Sequence, residues 1–492
     1  MELVERDGRE WLFYKRVPID VALLRGSTAD ERGNVTFERE ALVIDALAQA
    51  TAARNCGGIV LVQVEQIVAA GSLPAREVIL PGALVDAVIV APPELHPQTY
   101  ATDYSRYFTH RFRQPETGAR RMPLDARKVI ARRIAWELPI GGIVNLGIGM
   151  PEGVASVARE EGLLRYVTLT AEPGVVGGEP ASGLDFGAAT NVDALITQGQ
   201  QFDLYDGGGL DLASLGMAQL GRAGDVNVSR FGPKLAGCGG FINISQNARR
   251  VVFAGTFTAG GLDVLIEDGE MRIRREGRVR KVLDEVEEIT FSGRRAARTG
   301  QPVLYVTERC VFRLGDGGIE LIEIAPGIDP RRDVLDHLGF DVATDGIVPM
   351  RAELFSPELM SLADALTHRA LKDRIVHDAA RELLFVDLSA MRIATAADLD
   401  AIEARVRELA ATLDGPVDAV VNYEHANIVD TIEADYRAMV DRLERDVYAR
   451  VSRYATGAFD RRRIGSTLAG GDGRAVRRNR QEAIEALRAG RD

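Results

Sequence analysis

The sequence predicts an α/β protein: two duplicated open α/β domains with mixed sheets, the first of them incomplete, and then a small C-terminal α/β module. Three observations predict it. Helix, strand, glycine loop, helix and strand succeed one another between Pro123 and Ala171, the grammar of an open α/β domain with parallel strands. Positions 10 to 62 find their like 191 positions later. After Glu353 the pattern of strand-like and helix-like runs starts afresh.

Each element has its own reason. Ile130, Ile134 and Leu138 fall on one helical face within Pro123 to Leu138, with Arg132 and Arg133 pointing elsewhere, so an amphipathic helix is expected there. Gly141-Gly142 ends it, and Ile143 to Leu146 reads as a buried strand running into Gly147-Ile148-Gly149. Pro151 suits the first position of the next helix, where a missing N–H costs nothing. A second strand spans Tyr166 to Ala171. Val303 to Leu314 and Ile319 to Ala325 are strand-like runs on either side of Gly315-Asp316-Gly317-Gly318, a β-hairpin pattern that makes the sheet mixed. In the tail, Leu383 to Leu388 and Val417 to Tyr423 read as strands, and Ala396 to Leu413 and Ile428 to Leu443 as helices. Arg461-Arg462-Arg463 and Arg477-Arg478 read as solvated faces.

The repeat pairs Tyr14 with Tyr205, Asp20 with Asp211, Ala22 with Ala213, Leu24 with Leu215, Gly33 with Gly224, Val35 with Val226 and Val60 with Val251, without a gap. Chance similarity between two α/β segments is the plainer alternative. Duplication accounts better for the shared register, because both copies place Gly-Asn-Val or Gly-Asp-Val at one distance from the Asp20 and Asp211 runs. At the same offset the opening of the second copy, near Leu124, falls before residue 1, so roughly seventy residues equivalent to its first strands, glycine loop and helix have no counterpart in this sequence. The boundaries expected are 1–95 for the later part of the first copy, 96–122 for a linker, 123–355 for the second copy and 362–492 for the module. In the linker, Tyr100, Tyr104, Tyr107 and Phe108 are expected to pack onto the domains.

Composition bounds the function. With 492 residues, 46% apolar and 27% charged, the chain has material for about three packed domains and little for extended disorder. A net charge of -12 argues against nucleic acid, whose binding draws on clustered Lys and Arg. An anionic ligand would have to be held by loop amides and helix N-termini. Cys56, Cys238 and Cys310 are far apart and odd in number, which suits a reducing cytoplasm, and the six histidines lack zinc spacing, so no metal is expected. No apolar run approaches the roughly 18 residues of a membrane span.

Glu172 is the residue on which chemistry is expected to centre. It ends a strand at the carboxyl end of the sheet, where open α/β domains bind ligands, and Pro173-Gly174 turns the chain immediately after it. An ordinary Glu-Pro-Gly surface turn is the alternative. Gly237-Cys238-Gly239-Gly240 offers backbone amides close enough to serve a reacting carbonyl, with Cys238 as a small packed side chain. Gly147-Ile148-Gly149 reads as a phosphate cradle at a helix start, and Asp206-Gly207-Gly208-Gly209 as a tight turn or a pocket rim.

Taken in order, Asn145-Leu-Gly-Ile-Gly-Met-Pro, Glu172-Pro-Gly, Gly237-Cys-Gly-Gly-Phe, Thr307-Glu-Arg-Cys-Val-Phe and Glu323-Ile-Ala-Pro-Gly resemble the β-half of family I CoA-transferases. The best match is to the single-chain acyl-CoA:acetate/3-ketoacid or propionate group. The likeness covers about 1 to 355, and the module from about 362 is similar to a C-terminal extension of some members. It implies that Glu172 is the nucleophile, that Gly239, Gly240 and Gly174 line the oxyanion and substrate site, and that Gly147, Gly149 and Gly237 serve CoA. CoA is then a substrate and no separate cofactor is expected. The partners implied are acyl-CoA and short-chain carboxylic acids, in a homo-oligomer, with a separate chain completing the first domain as a further possibility. In relatives the segment without a counterpart here carries a pocket wall, so the first sheet is expected to show a free edge and a bare apolar face, and an upstream polypeptide to raise activity. An acyl-CoA hydrolase, a citrate-lyase-like transferase subunit and a non-catalytic ligand-binding protein are the competing readings.

Overall fold

The computed structural model describes residues 1–115, 121–379, 381–389, 391–468 and 475–488; residues 116–120 of the expected linker lie outside them. The chain divides into one body of 1–160 with 167–358 and another of 161–166 with 359–492.

In the first body, the first copy supplies β1 (Val21–Arg25), α1 (Ala46–Asn55), β2 (Ile59–Val64) and β3 (Ala87–Val90). The strands pair in that order, all parallel. Ala46, Ala50 and Ala53 recur at helical spacing on α1 and pack in one core with Ala22, Val60, Val62 and Val64.

The second copy supplies α2 (Ala126–Ala135), β4 (Ile143–Leu146), α3 (Glu152–Glu160), β5 (Thr168–Ala171), β6 (Val175–Val176), β7 (Ala194–Leu195), α4 (Gln198–Asp206), β8 (Leu212–Gly216), α5 (Phe241–Asn247), β9 (Val251–Ala254), β10 (Val303–Val306), β11 (Cys310–Gly315), β12 (Gly318–Ile324) and β13 (Val348–Pro349). They form a ten-stranded sheet in the order β7-β6-β5-β4-β8-β9-β10-β11-β12-β13. Its centre, β5-β4-β8-β9-β10, is parallel, and antiparallel strands flank it on both sides. The sheet is mixed, as expected. The run Val303 to Leu314 breaks into two antiparallel strands, because Thr307-Glu308-Arg309 turns the chain: the Thr307 side chain accepts from the Arg309 and Cys310 amides.

The duplication is visible in the backbone. β1 and β8 start at Val21 and Leu212, and Gly33 and Gly224 hold φ of +82° and +83° at equivalent turns, a conformation open to glycine without strain. The two sheets differ in cover. Parallel strands need both faces buried, yet Val21, Leu23, Ile59 and Ile89, on the face away from α1, are exposed, Leu23 by 75%. Leu212, Ser214 and Val306, at equivalent places, are buried. Among the described residues β1 pairs only with β2.

The helix expected near Pro123 is present, capped by Asp125 accepting from the Lys128 amide at 2.9 Å, but it is not amphipathic. Lys128, Arg132 and Arg133 are all buried in it. Arg132 is satisfied by the carbonyls of Glu353, Leu354, Ser356 and Glu358, and Arg133 by Glu137 and Glu323. Apolar spacing located the helix, but it does not show that a buried helix can carry cations whose partners come from distant chain. The aromatic linker is also only partly packed: Phe108 is buried against Ala41 and Ala188, whereas Tyr100 is 86% exposed.

A turn in the first copy yields a pH prediction. Asp30 accepts from the Asn34 side chain and from the amides of Arg32, Asn34 and Gly71, and these bonds, Asn34's first, hold its carboxyl down to about 2. A lowered folded-state value means that the contribution is full above the ordinary carboxylate range and is lost as pH falls through about 2. Melting temperature is expected to fall less steeply across that acid window in Asp30→Asn than in the parent.

The second body is a sheet of β14 (Ile375–Asp378), β15 (Leu383–Asp387), β16 (Val417–Asn422), β17 (Tyr448–Tyr454) and β18 (Val476–Arg477), in that order. β14 is antiparallel to β15, and the other pairs are parallel. The helix Ala396–Ala410 starts on a capping box, Thr395 with Asp398, and buries Leu399, Ile402 and Val406. Buried Tyr423 and Tyr436 bond to each other at 2.7 Å, which satisfies both hydroxyls inside an apolar core. Among the described residues, no helix is long and apolar enough to cross a membrane.

Candidate active site

Ala171 is the last residue of β5, a central parallel strand, so Glu172 leaves the sheet at its carboxyl end. The turn that follows is tightly closed. The Gly174 amide donates to the Ala171 carbonyl at 3.1 Å, and the Gly174 carbonyl accepts from the Ile196 amide at 2.8 Å. Gly174 has φ +114°, and a Cβ there would lie 1.9 Å from the Ile196 oxygen, so only glycine fits. Gly174 therefore shapes the Glu172 loop, with its amide engaged inside the turn.

Of the other glycines, the structure brings Gly240 directly to Glu172. Its amide stabilises the Glu172 carboxylate, and a Cβ on it would lie 2.7 Å from Glu172 Oε2 and 2.7 Å from Phe202 Cζ. Burial pushes the Glu172 carboxyl above its ordinary value, with the Gly240 amide opposing. Gly239, adjacent, has φ +52° and open space around it. The Gly237 amide is engaged with the Ser229 carbonyl at 3.0 Å, and the Gly147 amide with the Ser214 carbonyl at 2.8 Å. Gly147 is wedged against Leu215, while Gly149, at φ +87°, faces open space before α3. Gly237 and Gly149 both leave open space beside the backbone, whereas Gly147 is crowded by Leu215.

Cys238 is exposed, which corrects the expectation of a packed side chain; left-handed Gly237 and Gly239 on either side lift it from the core. Cys310 is the packed one. Burial pushes its thiol up to about 12, so it has no nucleophilic part.

The sequence did not disclose what lies under the glutamate. Tyr205 OH donates to Thr170 Oγ1 at 2.9 Å and accepts from Asn145 Nδ2 at 3.1 Å, and all three residues are fully buried. The Tyr205 hydroxyl is pushed up by burial, and the Glu172 charge adds to this. Phe202 and Tyr205, both on α4, thus lie close to Glu172. Their spacing on one helix was the available signal, but nothing local tied α4 to Glu172.

Gly240 sits at a φ of -77°, so alanine is tolerated by the backbone, and the effect of Gly240→Ala falls on the carboxylate and Phe202. The variant is expected to keep its melting temperature within a few degrees and to lose about 10²-fold in turnover, because a displacement of about 1 Å in a reacting group is enough for that. Steady-state rates beside a thermal melt check it.

Comparison with known proteins agrees with this geometry. The family description Coenzyme A transferase matches residues 1–91. Caffeate CoA-transferase of Acetobacterium woodii is 50% identical over 363 residues, covering 72% of this chain and 69% of the relative. Acetate CoA-transferase YdiF of Escherichia coli (strain K12) is 40% identical over 381 residues, covering 77% of this chain and 69% of the relative. Among solved structures, the acyl-CoA transferase YdiF of E. coli O157:H7, as a thioester complex with CoA, superposes with a TM-score of 0.68 at 41% identity, over 73% of this chain and 68% of that one. A sheet that ends in a half-buried glutamate beside a glycine amide, and relatives that share up to half of the aligned residues, lead to one conclusion: the chain belongs to the coenzyme A transferase family, in its single-chain family I branch.

Proposed function

We propose that the chain moves CoA from an acyl-CoA to a carboxylic acid through a covalent glutamyl-CoA thioester at Glu172. CoA transfer between an acyl-CoA and a carboxylate is the activity of its family. The observation that carries the finer reading is the Glu172 carboxylate, half-buried at the carboxyl end of the parallel strands and set against the Gly240 backbone. A carboxylate partly shielded from water is a better nucleophile, and it needs no base to deprotonate it.

The steps balance without a cofactor. A Glu172 oxygen attacks the thioester carbonyl, the C–S bond breaks, and CoA leaves as thiolate, giving a mixed anhydride. The thiolate attacks the glutamyl carbonyl of the anhydride and releases the first carboxylate, which leaves glutamyl-CoA. The acceptor carboxylate attacks this thioester and expels the thiolate again, and the thiolate takes the acyl group to form the new acyl-CoA and free Glu172. The amides of Gly239 and Gly240 are assigned to the oxyanion, a reading that the closeness of Gly240 to Glu172 supports. Loops at Gly147, Gly149 and Gly237 are assigned to CoA. The thioester complex with CoA of the E. coli relative supports this chemistry.

The test is acyl-CoA without acceptor, followed by peptide mapping. A CoA adduct on Glu172, and new acyl-CoA only when a carboxylic acid is added, are expected. An adduct on Cys238, or free acid released at the same rate without acceptor, would overturn the reading in favour of a hydrolase or another nucleophile. Since attack needs the ionised carboxyl, the acidic limb of the kcat/KM profile is expected above the ordinary glutamate range.

A further inference from the structure

We infer that a cluster of buried Glu40 and His96 with half-exposed Arg25 in the first copy is a positioning device for Glu172; this rests on the reading of Glu172 as nucleophile. The cluster lies at the carboxyl end of the first sheet. Arg25 ends β1, and Gln63 lies near the end of β2. Glu40 Oε2 meets Arg25 Nε at 2.9 Å, and Glu40 Oε1 meets His96 Nε2 at 3.0 Å. The His96 side chain is fully buried and Glu40 only 7% exposed. Gln63 Nε2 reaches His96 Nδ1 at 2.9 Å and donates to the Leu95 carbonyl at 3.0 Å, so Nδ1 accepts and Nε2–H donates to Glu40. A neutral imidazole satisfies every contact, and Arg25 balances the Glu40 charge.

Through Glu40 the cluster anchors the segment 39–44, which further bonds also hold. The Arg39 amide donates to Ser27 Oγ at 2.8 Å, Gln98 Nε2 donates to the Arg39 carbonyl at 2.6 Å, and His110 Nε2 donates to the Ala41 carbonyl at 3.0 Å. Thus pinned, the segment reaches the Glu172 loop and the start of α4. Leu42 packs on Ala171 and Val175, the residues before and just after the Glu172 turn, and its Cδ1 stands 3.6 Å from where a Cβ on Gly187 would touch Pro173. The Ile44 carbonyl accepts from the Gln198 amide at 3.2 Å, at the start of α4, which carries Phe202 and Tyr205. Ile44 itself has φ +52°, a strained region for a β-branched residue that persists only where surrounding contacts over-determine it. Nothing in the cluster touches the reacting atoms. Its effect on the reaction runs through the Glu172 loop and α4.

The test compares Glu40→Ala, Glu40→Gln and Ile44→Gly for the rate of CoA-adduct formation at Glu172, for kcat and KM, and for melting temperature. Glu40→Ala is expected to slow adduct formation and kcat about tenfold or more, with KM for acyl-CoA changed by less than about threefold, since the loss is in orientation and not in CoA contacts. Glu40→Gln keeps an oxygen for His96 and is expected to recover most of the rate. Ile44→Gly relieves strain and frees the segment, so it is expected to slow the adduct step while the melting temperature holds; it serves as the readout should Glu40→Ala fail to fold. Full adduct rate at Glu172 in folded Glu40→Ala, or in Ile44→Gly, would overturn the inference and leave Glu172 as nucleophile intact. Turnover that survives Glu172→Gln would overturn the underlying reading instead, so the two failures are distinguishable.

Discussion

Glu172→Gln is expected to lower acyl-CoA turnover by about 10³-fold or more and to abolish the covalent CoA adduct. The amide keeps the size of the side chain and an oxygen for the Gly240 N–H, so the loop, Phe202 and the CoA contacts are preserved. What it lacks is the anionic oxygen that opens the thioester. Cys310 and Tyr205 are not placed to take over, since Cys310 is buried with its thiol pushed up to about 12 and the Tyr205 hydroxyl is held above its ordinary value by burial; exposed Cys238 is the rival that adduct mapping tests. CoA affinity is expected to change little, so KM and kcat should separate. The check is single-turnover kinetics with mass analysis of the trapped enzyme. Turnover within about tenfold of the parent would remove Glu172 from the chemistry.

Arg309→Met is expected to be the most damaging change away from the reacting group. Arg309 and Glu308 have fully buried side chains and bond at 2.7 Å, and Arg309 also binds Glu276 at 2.7 Å and the Asp333 carbonyl at 3.2 Å. Methionine fills the volume but leaves Glu308 charged inside the protein, held by the Phe257 amide at 2.9 Å. Lys281, another cation near it, has its ammonium already pushed down to about 8 by burial. Breaking a buried pair from one side typically costs about 3–5 kcal/mol. Denaturant unfolding of the pair Arg309→Met and Arg309→Met/Glu308→Gln is the measurement, and the double change should recover part of the loss. Equal stability of parent and single variant would show that the pair contributes nothing.

Part of the site was legible because its signals are local. Glu172-Pro-Gly marks a strand that stops and turns, and three glycines in Gly237-Cys-Gly-Gly mark a loop of close approach; the structure brings Glu172 and Gly240 into contact. Gly174 shows the limit of such reading, since only the closed turn shows that its amide bonds to the Ala171 carbonyl. The arginines of α2 teach the same lesson, since Arg133 finds Glu323 190 positions away.

By itself the sequence determined the α/β class, the mixed sheet, the duplication at one register and the placing of a carboxylate at a strand's carboxyl end. Each of these is a matter of side-chain period, turn chemistry or self-similarity, which a short window of sequence contains. The tertiary structure alone decided which cations are buried, that Cys238 is exposed while Cys310 is packed, and that one face of the first sheet is bare where its equivalent in the second is covered. It alone also joined Glu40 to His96 across 56 positions and set that segment against the Glu172 loop. The physical reason is that burial and charge pairing are properties of surfaces brought together by folding. A polar residue in a sequence carries no mark of the partner that makes its burial affordable.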